Sequence, residues 1–146
     1  MKKKVLIVTS PLRVGGFDVV ATSLQTHLDC ERFECTYYIV GEEVGPLEPI
    51  VINSGAKVIH RPDSVKGYLA DYKYLKKVIH EGEYDVVHSH LMFFSGLVML
   101  AARSEGVPVR VPHGHMTDPC IEDRSFLQRR MFDVYRFFVT LLLDSC

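Results

Sequence analysis

The chain has 146 residues, of which 47% are hydrophobic and 24% charged, and its formal net charge is −1. This length and composition predict one folded domain with a full apolar core. Basic residues cluster only at Lys2, Lys3 and Lys4. The sequence therefore argues against a basic surface of the kind that binds nucleic acid.

The amino terminus resembles a secretion signal only in its lysines. The apolar run that follows them ends before Ser10, which is shorter than the apolar part of a signal peptide. We therefore predict a cytoplasmic protein. The cysteines, Cys30, Cys35, Cys120 and Cys146, have neither metal-site nor disulfide spacing, so we expect reduced thiols.

A glycine pair separates the first predicted strand from the first predicted helix. Residues 5–8 form a short apolar run typical of a buried parallel strand, and a helix is predicted from Phe17 to Leu28. Gly15 and Gly16 let the backbone approach a ligand, and a helix N-terminus favours anions such as phosphate. The alternative is a tight turn without a ligand. The spacing does not match G-x-G-x-x-G, so a dinucleotide fingerprint is not met.

Apolar strands and amphipathic helices then alternate along the chain. Runs of β-branched and aromatic residues predict strands, apolar residues at intervals of three and four predict helices, and glycine or proline marks the ends. We predict a strand at 35–40, a helix at 47–54, a strand at 56–60, a helix at 67–81 that ends at Gly82, a strand at 84–88, a helix through 94–101 that stops at Gly106, and a strand at 107–111.

This alternation is typical of βαβ crossovers. It predicts an α/β fold, a doubly wound Rossmann-like parallel sheet with helices on both faces. In the common strand order 3-2-1-4-5, the switch point lies between the first and fourth strands, and ligands bind there at the carboxyl ends of the strands. The glycine turn would then lie opposite residues 88–90, with residues 113–115 beside them.

Both of these segments contain a His-x-His pair. His88 and His90 follow the fourth predicted strand, and His113 and His115 follow the fifth. Residues two apart on a strand face the same side, so each pair is expected to present both rings together. Imidazole donates or accepts hydrogen bonds, titrates near neutrality and binds metals. One histidine at a strand end is usually structural, but four at adjacent ends favour a site.

A metal-dependent hydrolase is the sharpest chemical alternative. Its metal would bind the histidine pairs and an oxygen of Asp118, Glu122 or Asp123. No H-E-x-x-H motif or cysteine ligand pattern supports it, so we predict no metal. A serine nucleophile is disfavoured because G-x-S-x-G is missing. Asp85, in the fourth predicted strand, is expected to cap or pair.

Residues 125–143 are apolar on nearly every side of a predicted helix. Such a helix needs cover from the sheet, a membrane surface or protein beyond Cys146. Arg136 and earlier arginines interrupt the apolar run, so it is too short to span a bilayer. Arginines beside aromatics suit a headgroup boundary. We predict a packed crossover helix, with peripheral contact at the inner face of the membrane as the alternative.

Three segments in series resemble the N-terminal half of family-four, GT-B-fold glycosyltransferases. They are residues 10–17 with the glycine turn, residues 85–90 with the first histidine pair, and residues 106–115 with the second. The similarity covers nearly all of residues 1–146, in order and with the usual intervals. Each motif is weak alone, but the series is fairly specific.

The resemblance implies retaining transfer of a sugar from a nucleotide-sugar donor, without a metal or other cofactor. The N-terminal domain of that family mainly holds the acceptor, here a glycan or lipid-linked molecule of the kind used in polysaccharide synthesis. Gly15 and Gly16 would bind the donor diphosphate. His113 or His115 would lie near the donor sugar, and His90 would line the same cleft, with His88 buried in support.

The second domain of that family, which carries the nucleotide pocket and an E-x-E motif, has no counterpart in residues 1–146. We therefore expect this chain to be one domain of a larger enzyme and to have negligible transfer activity by itself. The alternative from another class is a non-catalytic α/β binding module whose helical tail docks on a partner protein or a membrane.

Overall fold

A computed structural model of the protein describes residues 1–114, which form a five-stranded parallel sheet with helices on both faces. The strands are β1 Lys3–Thr9, β2 Phe33–Ile39, β3 Lys57–His60, β4 Val86–Ser89 and β5 Val109–Pro112. The helices are α1 Gly16–His27, α2 Glu48–Asn53, α3 Tyr68–Gly82 and α4 Ser95–Ser104, and a 3-10 turn, Met92–Phe94, precedes α4. The strand order is β3-β2-β1-β4-β5.

The central strand β1 separates two apolar cores. Its residues from Val5 to Thr9 are all buried, and successive side chains point to opposite faces of the sheet. One core contains Val5 and Ile7 with Ala21 of α1 and Val51 of α2, and the other contains Leu6 and Val8 with Leu75 of α3 and Met99 of α4. Because helices cover both faces, β1 reads as a continuous apolar run rather than an alternating one.

The predicted fold class and strand order are confirmed, and β1 lies between β2 and β4 as the switch point requires. The bounds of the last strand are shifted. Val107 is buried, but its N–H donates to the carbonyl of Ala102 in α4, and ladder pairing begins only at Val109. The apolar pattern at 107–111 therefore predicted the strand two residues too early, and of its valines only Val107 is buried, whereas Val109 and Val111 are exposed.

Gly82 does not end its helix by its own conformation. It is the last residue of α3, and Glu83 after it takes the left-handed backbone conformation with φ 50°. A Cβ on Gly82 would lie 2.1 Å from Cε2 of Tyr84. The glycine is therefore required by the close approach of the Tyr84 ring rather than by the helix end.

The expectation that Asp85 pairs is confirmed. It directly precedes β4 and accepts hydrogen bonds from the backbone N–H of Lys4 at 2.9 Å and from Nζ of Lys3 at 2.7 Å. The Lys3 and Lys4 bonds lower the pKa of the Asp85 carboxyl. This pair lies at the amino ends of the strands, at the opposite edge of the sheet from the glycine turn.

The predicted helix at 125–143 lies outside the described residues, as do Asp118, Glu122 and Asp123. Cys30 and Cys35 are free thiols, as expected, while Cys120 and Cys146 also lie outside the described part. Among residues 1–114, no helix has the length and apolar character that crossing a membrane requires.

Candidate functional site

The glycine turn lies at the carboxyl end of β1 and leads into α1. Gly15 is the N-cap residue with an extended backbone, and Gly16 is the first helical residue. The carbonyl of Gly15 accepts the N–H of Val19 at 3.0 Å, which closes the first turn of the helix. Gly16 is exposed, and a Cβ added to it would meet no atom within 4 Å. The first N–H groups of a helix lack intrahelical partners, so this end can accept an anion.

The buried carboxyl of Asp18 holds the glycine turn in place by a hydrogen bond. Asp18, the third residue of α1, is only 2% exposed and accepts a hydrogen bond from the backbone N–H of Arg13. Burial raises the pKa of Asp18, while the Arg13 bond opposes that shift. A Cβ on Gly15 would lie 3.0 Å from Oδ2 of Asp18, so a larger residue there would require the Asp18 carboxyl to shift.

Sequence reasoning missed Asp18. The signal was available, because an acidic residue at the third helical position commonly reaches back to a backbone N–H before the helix. Here the side chain reaches further back than the cap residue itself, to Arg13. Asp18 therefore sets the path of the chain before the helix as well as the helix start.

The loop between β2 and α2 holds the same turn from the side. A Cβ on Gly45 would lie 2.3 Å from the carbonyl oxygen of Leu12, and the N–H of Leu47 donates to that oxygen at 3.0 Å. Arg13 forms two hydrogen bonds with Glu43, one of them from Nε to Oε1 at 3.1 Å. Backbone packing and an exposed ion pair thus join two loops that are about thirty residues apart.

The strand ladder brings three imidazoles together at the ends of β4 and β5. His88 lies in β4, the N–H of His90 donates to the Val8 carbonyl at 2.9 Å, and the N–H of His113 donates to the Ser89 carbonyl at 2.8 Å. The ring centroids are 4.3 Å apart for His88 and His90, 4.9 Å for His90 and His113, and 5.4 Å for His88 and His113. We call these three residues the histidine cluster.

The burial of the first histidine pair is the reverse of what was expected. His90, predicted to line the cleft, is 3% exposed, and His88, predicted to be buried in support, is half-buried. The reason is that His90 lies just past the strand, beside the buried end of β1, where its N–H binds Val8. The prediction that both rings share one side is confirmed by their 4.3 Å separation.

The histidine cluster also bears on the metal hypothesis. One ligand atom from each ring lies within 4.8 Å of the others, and Nε2 of His88 is 3.2 Å from Nδ1 of His113. Two ligands of one tetrahedral zinc with Zn–N bonds of about 2.0–2.1 Å are roughly 3.4 Å apart. The His88–His113 pair meets that spacing, but the 4.8 Å spread of the whole cluster would have to contract.

The structure places most of the predicted site residues at one edge of the sheet. Gly15 and Gly16 follow β1, and His90 and His113 follow β4 and β5, so all four lie at the carboxyl ends of adjacent parallel strands. His90 is joined to β1 directly through Val8. His115 lies outside the described residues, so the choice between His113 and His115 stays a prediction.

Comparison with known proteins points to one family. The protein-family model described as Glycosyltransferase Family 4 matches residues 14–144, which are most of the chain. A putative glycosyltransferase of Bacillus subtilis strain 168, EpsF, is 28% identical over 118 residues, which are 80% of this chain and 31% of EpsF.

Solved structures show the same architecture. Anabaena HepE, determined in complex with UDP, has a TM-score of 0.63 and 16% identity, covering 92% of this chain and 35% of HepE. Acinetobacter baumannii MurG has a TM-score of 0.59 and 16% identity over 90% of this chain and 39% of MurG. The UDP-GlcNAc 2-epimerase of Neisseria meningitidis, bound to UDP-GlcNAc, has a TM-score of 0.56 and 16% identity over 90% of this chain and 38% of the epimerase.

These likenesses establish the fold, that of the Rossmann-like N-terminal half of GT-B glycosyltransferases. An epimerase shares it, so the fold alone does not determine the reaction. The chain spans between 31% and 39% of the length of these four proteins.

Proposed function

Because the chain belongs to glycosyltransferase family 4, we propose that it is the acceptor-side domain of an enzyme that transfers a sugar from a nucleotide-sugar donor. One observation carries this proposal. The glycine turn and the histidine cluster follow adjacent strands at the switch point of the sheet, where ligands bind in open α/β folds.

In this proposal the donor diphosphate lies against Gly16 at the start of α1. Three features support that position: the exposed backbone, the open space where a Cβ would be, and the partial positive charge of a twelve-residue helix. His113 is half-buried at the end of β5 and contacts the donor sugar, with His90 packed behind it.

The remaining parts of the proposal concern the whole enzyme. Transfer proceeds with retention at the sugar carbon and without a metal, and the acceptor is a glycan or lipid-linked molecule used in polysaccharide synthesis. A second domain supplies the nucleotide pocket, so residues 1–146 alone have negligible transfer activity. The protein acts in the cytoplasm, and the apolar segment 125–143 is the candidate for peripheral membrane contact.

Titration of UDP and UDP-sugars into the 146-residue chain, followed by amide NMR shifts, tests the donor site. We expect the shifts to centre on Gly15, Gly16 and His113. Gly16→Ala should remove the response and leave the fold intact, because Gly16 has an ordinary backbone conformation and open space beside it. Val20→Ala, on an exposed residue further along α1, is the matched control and should bind like the natural chain.

Amide shifts confined to another surface would contradict the proposed donor site. The same titration separates the glycosyltransferase domain from a non-catalytic binding module, which would show no nucleotide-dependent shifts at the glycine turn. A transfer assay on a protein that joins this chain to a nucleotide-sugar-binding domain tests catalysis. Turnover there that survives EDTA supports metal-free transfer, whereas turnover by the 146-residue chain alone contradicts the need for a second domain.

A further inference from the structure

The contact between His88 and His113 is a hydrogen bond between two imidazoles. Nε2 of His88 lies 3.2 Å from Nδ1 of His113, and the two rings are parallel within 4°. A neutral imidazole carries one N–H and one lone pair on its two nitrogens. One nitrogen in this contact therefore donates, and the other accepts.

This bond determines the state of the far nitrogen of His113. When Nδ1 of a neutral ring accepts a hydrogen bond from its neighbour, Nε2 of the same ring carries the N–H, and when Nδ1 donates, Nε2 has the lone pair. The direction of the bond with His88 is thus coupled to whether Nε2 of His113 is a donor or an acceptor. Such control by a second residue is how proteins select the tautomer of a functional histidine.

Backbone pairing and packing keep the two rings in place. His88 is paired with Ile7 and Val111 in the sheet, and the N–H of His113 is bound to the Ser89 carbonyl. The buried ring of His90 lies against both partners, at centroid distances of 4.3 and 4.9 Å. Rotation of either ring away from the bond would displace this buried neighbour, which favours one arrangement of the pair.

We propose that His88 is a positioning residue: its Nε2–H donates to Nδ1 of His113, so that Nε2–H of His113 donates to an oxygen of the bound nucleotide sugar. A donor preset in this way suits a nucleotide sugar, because the diphosphate oxygens and the ring oxygen of such a ligand accept hydrogen bonds and cannot donate them. The identity of the ligand rests on the proposed function, whereas the tautomer of His113 is a property of the chain itself. In this proposal His88 acts through His113 and does not itself contact the substrate.

Nitrogen-15 NMR of the histidine side chains in the 146-residue chain tests the tautomer directly. The spectrum is recorded with EDTA at a pH of about 8, above the ordinary imidazole range. We expect Nδ1 of His113 to resonate as an unprotonated nitrogen and Nε2 as a protonated one. A protonated Nδ1, or an even mixture of the two tautomers, would overturn the proposal.

Two substitutions separate positioning from general support of the fold. His88→Leu removes the donor, and the tautomer preference of His113 should be lost. His88→Gln supplies an amide N–H at a similar reach and should restore the preference. Equal tautomer populations in the natural chain and both variants, with amide spectra that show a folded protein, would contradict the role of His88.

The final step adds UDP-sugar and then zinc to the natural chain in separate samples. A shift of the Nε2–H of His113 with UDP-sugar supports the contact with the ligand. If His113 has the expected tautomer but UDP-sugar causes no shift at the glycine turn or at His113, the positioning role of His88 is supported and the proposed function is contradicted. A stoichiometric shift of all three histidines with zinc, reversed by EDTA, would overturn the hydrogen bond as the resting state of the cluster.

Discussion

The glycine turn and the histidine cluster lie at the same edge of the sheet but are held in different ways. The turn depends on groups outside the ladder: the buried Asp18 carboxyl below it and the packing of Gly45 against Leu12 beside it. The cluster depends on the ladder, because the N–H groups of His90 and His113 bind carbonyls of neighbouring strands. We therefore expect substitutions at neighbouring residues such as Gly45 to disturb the glycine turn. The histidine cluster should be disturbed only by substitution of the histidines themselves.

The largest effect is expected at Gly45. Gly45→Ala places a Cβ 2.3 Å from the Leu12 oxygen and 2.6 Å from the Leu12 nitrogen, where backbone has to move. We expect the free energy of unfolding to fall by about 3 kcal/mol. Urea denaturation measures this loss, and Gly16→Ala, with open space at its Cβ, serves as the stability control. Equal stability of the two variants would show that the turn does not depend on the neighbouring loop.

A smaller loss is expected within the histidine cluster. His90→Ala removes a buried ring that packs on both neighbours and should cost about 2 kcal/mol of unfolding free energy. His113→Ala removes a half-buried ring and should cost less than half as much. Thermal unfolding of both variants measures the difference. A greater loss for His113→Ala would mean that the inner and outer positions have been assigned the wrong way round.

Tyr37 links the sheet to the helix behind the glycine turn. Its buried hydroxyl donates to the carbonyl of Ala21 in α1 at 2.6 Å. Tyr37→Phe should lower the free energy of unfolding by about 1 kcal/mol, since it leaves a buried carbonyl without this donor. Tyr68→Phe, at a residue that is 78% exposed, is the matched control and should change nothing measurable. Denaturant midpoints of the two variants provide the test.

The smallest effect depends on pH and concerns Asp18. Burial raises its pKa in the folded state, so ionisation of this carboxyl opposes folding. Its contribution to stability is fully present below the ordinary aspartate pKa and is lost as the pH rises through the raised folded value. Asp18→Asn should therefore gain stability relative to the natural chain between pH 4 and pH 7, roughly the range above the ordinary aspartate pKa of about 3.9.

Unfolding of the natural chain and Asp18→Asn at both ends of that range checks the sign. A difference that is constant with pH would mean that the carboxyl titrates as it does in the unfolded chain. A relative loss of stability at neutral pH would mean that the charged form is favoured in the fold, through its bond with the Arg13 N–H.

Much of the architecture could be predicted from the sequence because it depends on patterns of neighbouring residues. The apolar run of β1 and the alternation of strands and helices led to the doubly wound sheet and to the order 3-2-1-4-5. The prediction that Gly82 ends its helix was wrong for a physical reason. In the sequence, a glycine that terminates a helix cannot be distinguished from one that leaves space for a packed ring, here that of Tyr84.

The location of the candidate site could be predicted from the sequence, but the residues that hold the glycine turn in place could not. Gly15, Gly16, His90 and His113 stand out because they follow strand signals, and the parallel sheet brings such positions to one edge. Asp18 looked like an ordinary residue of an amphipathic helix, and Gly45 like a loop residue. Their roles depend on Arg13 and Leu12, which approach them only after the loops have folded together.

By itself, the sequence determined which segments become strands, which edge of the sheet collects the glycines and histidines, and which family the chain resembles, because these follow from local periodicity and short motifs. Only the tertiary structure decided that His90 is buried while His88 is half-buried, and that His88 bonds to His113. Burial and ring pairing depend on the register of β4 against β1 and β5, and that register is set by contacts between residues far apart in the chain.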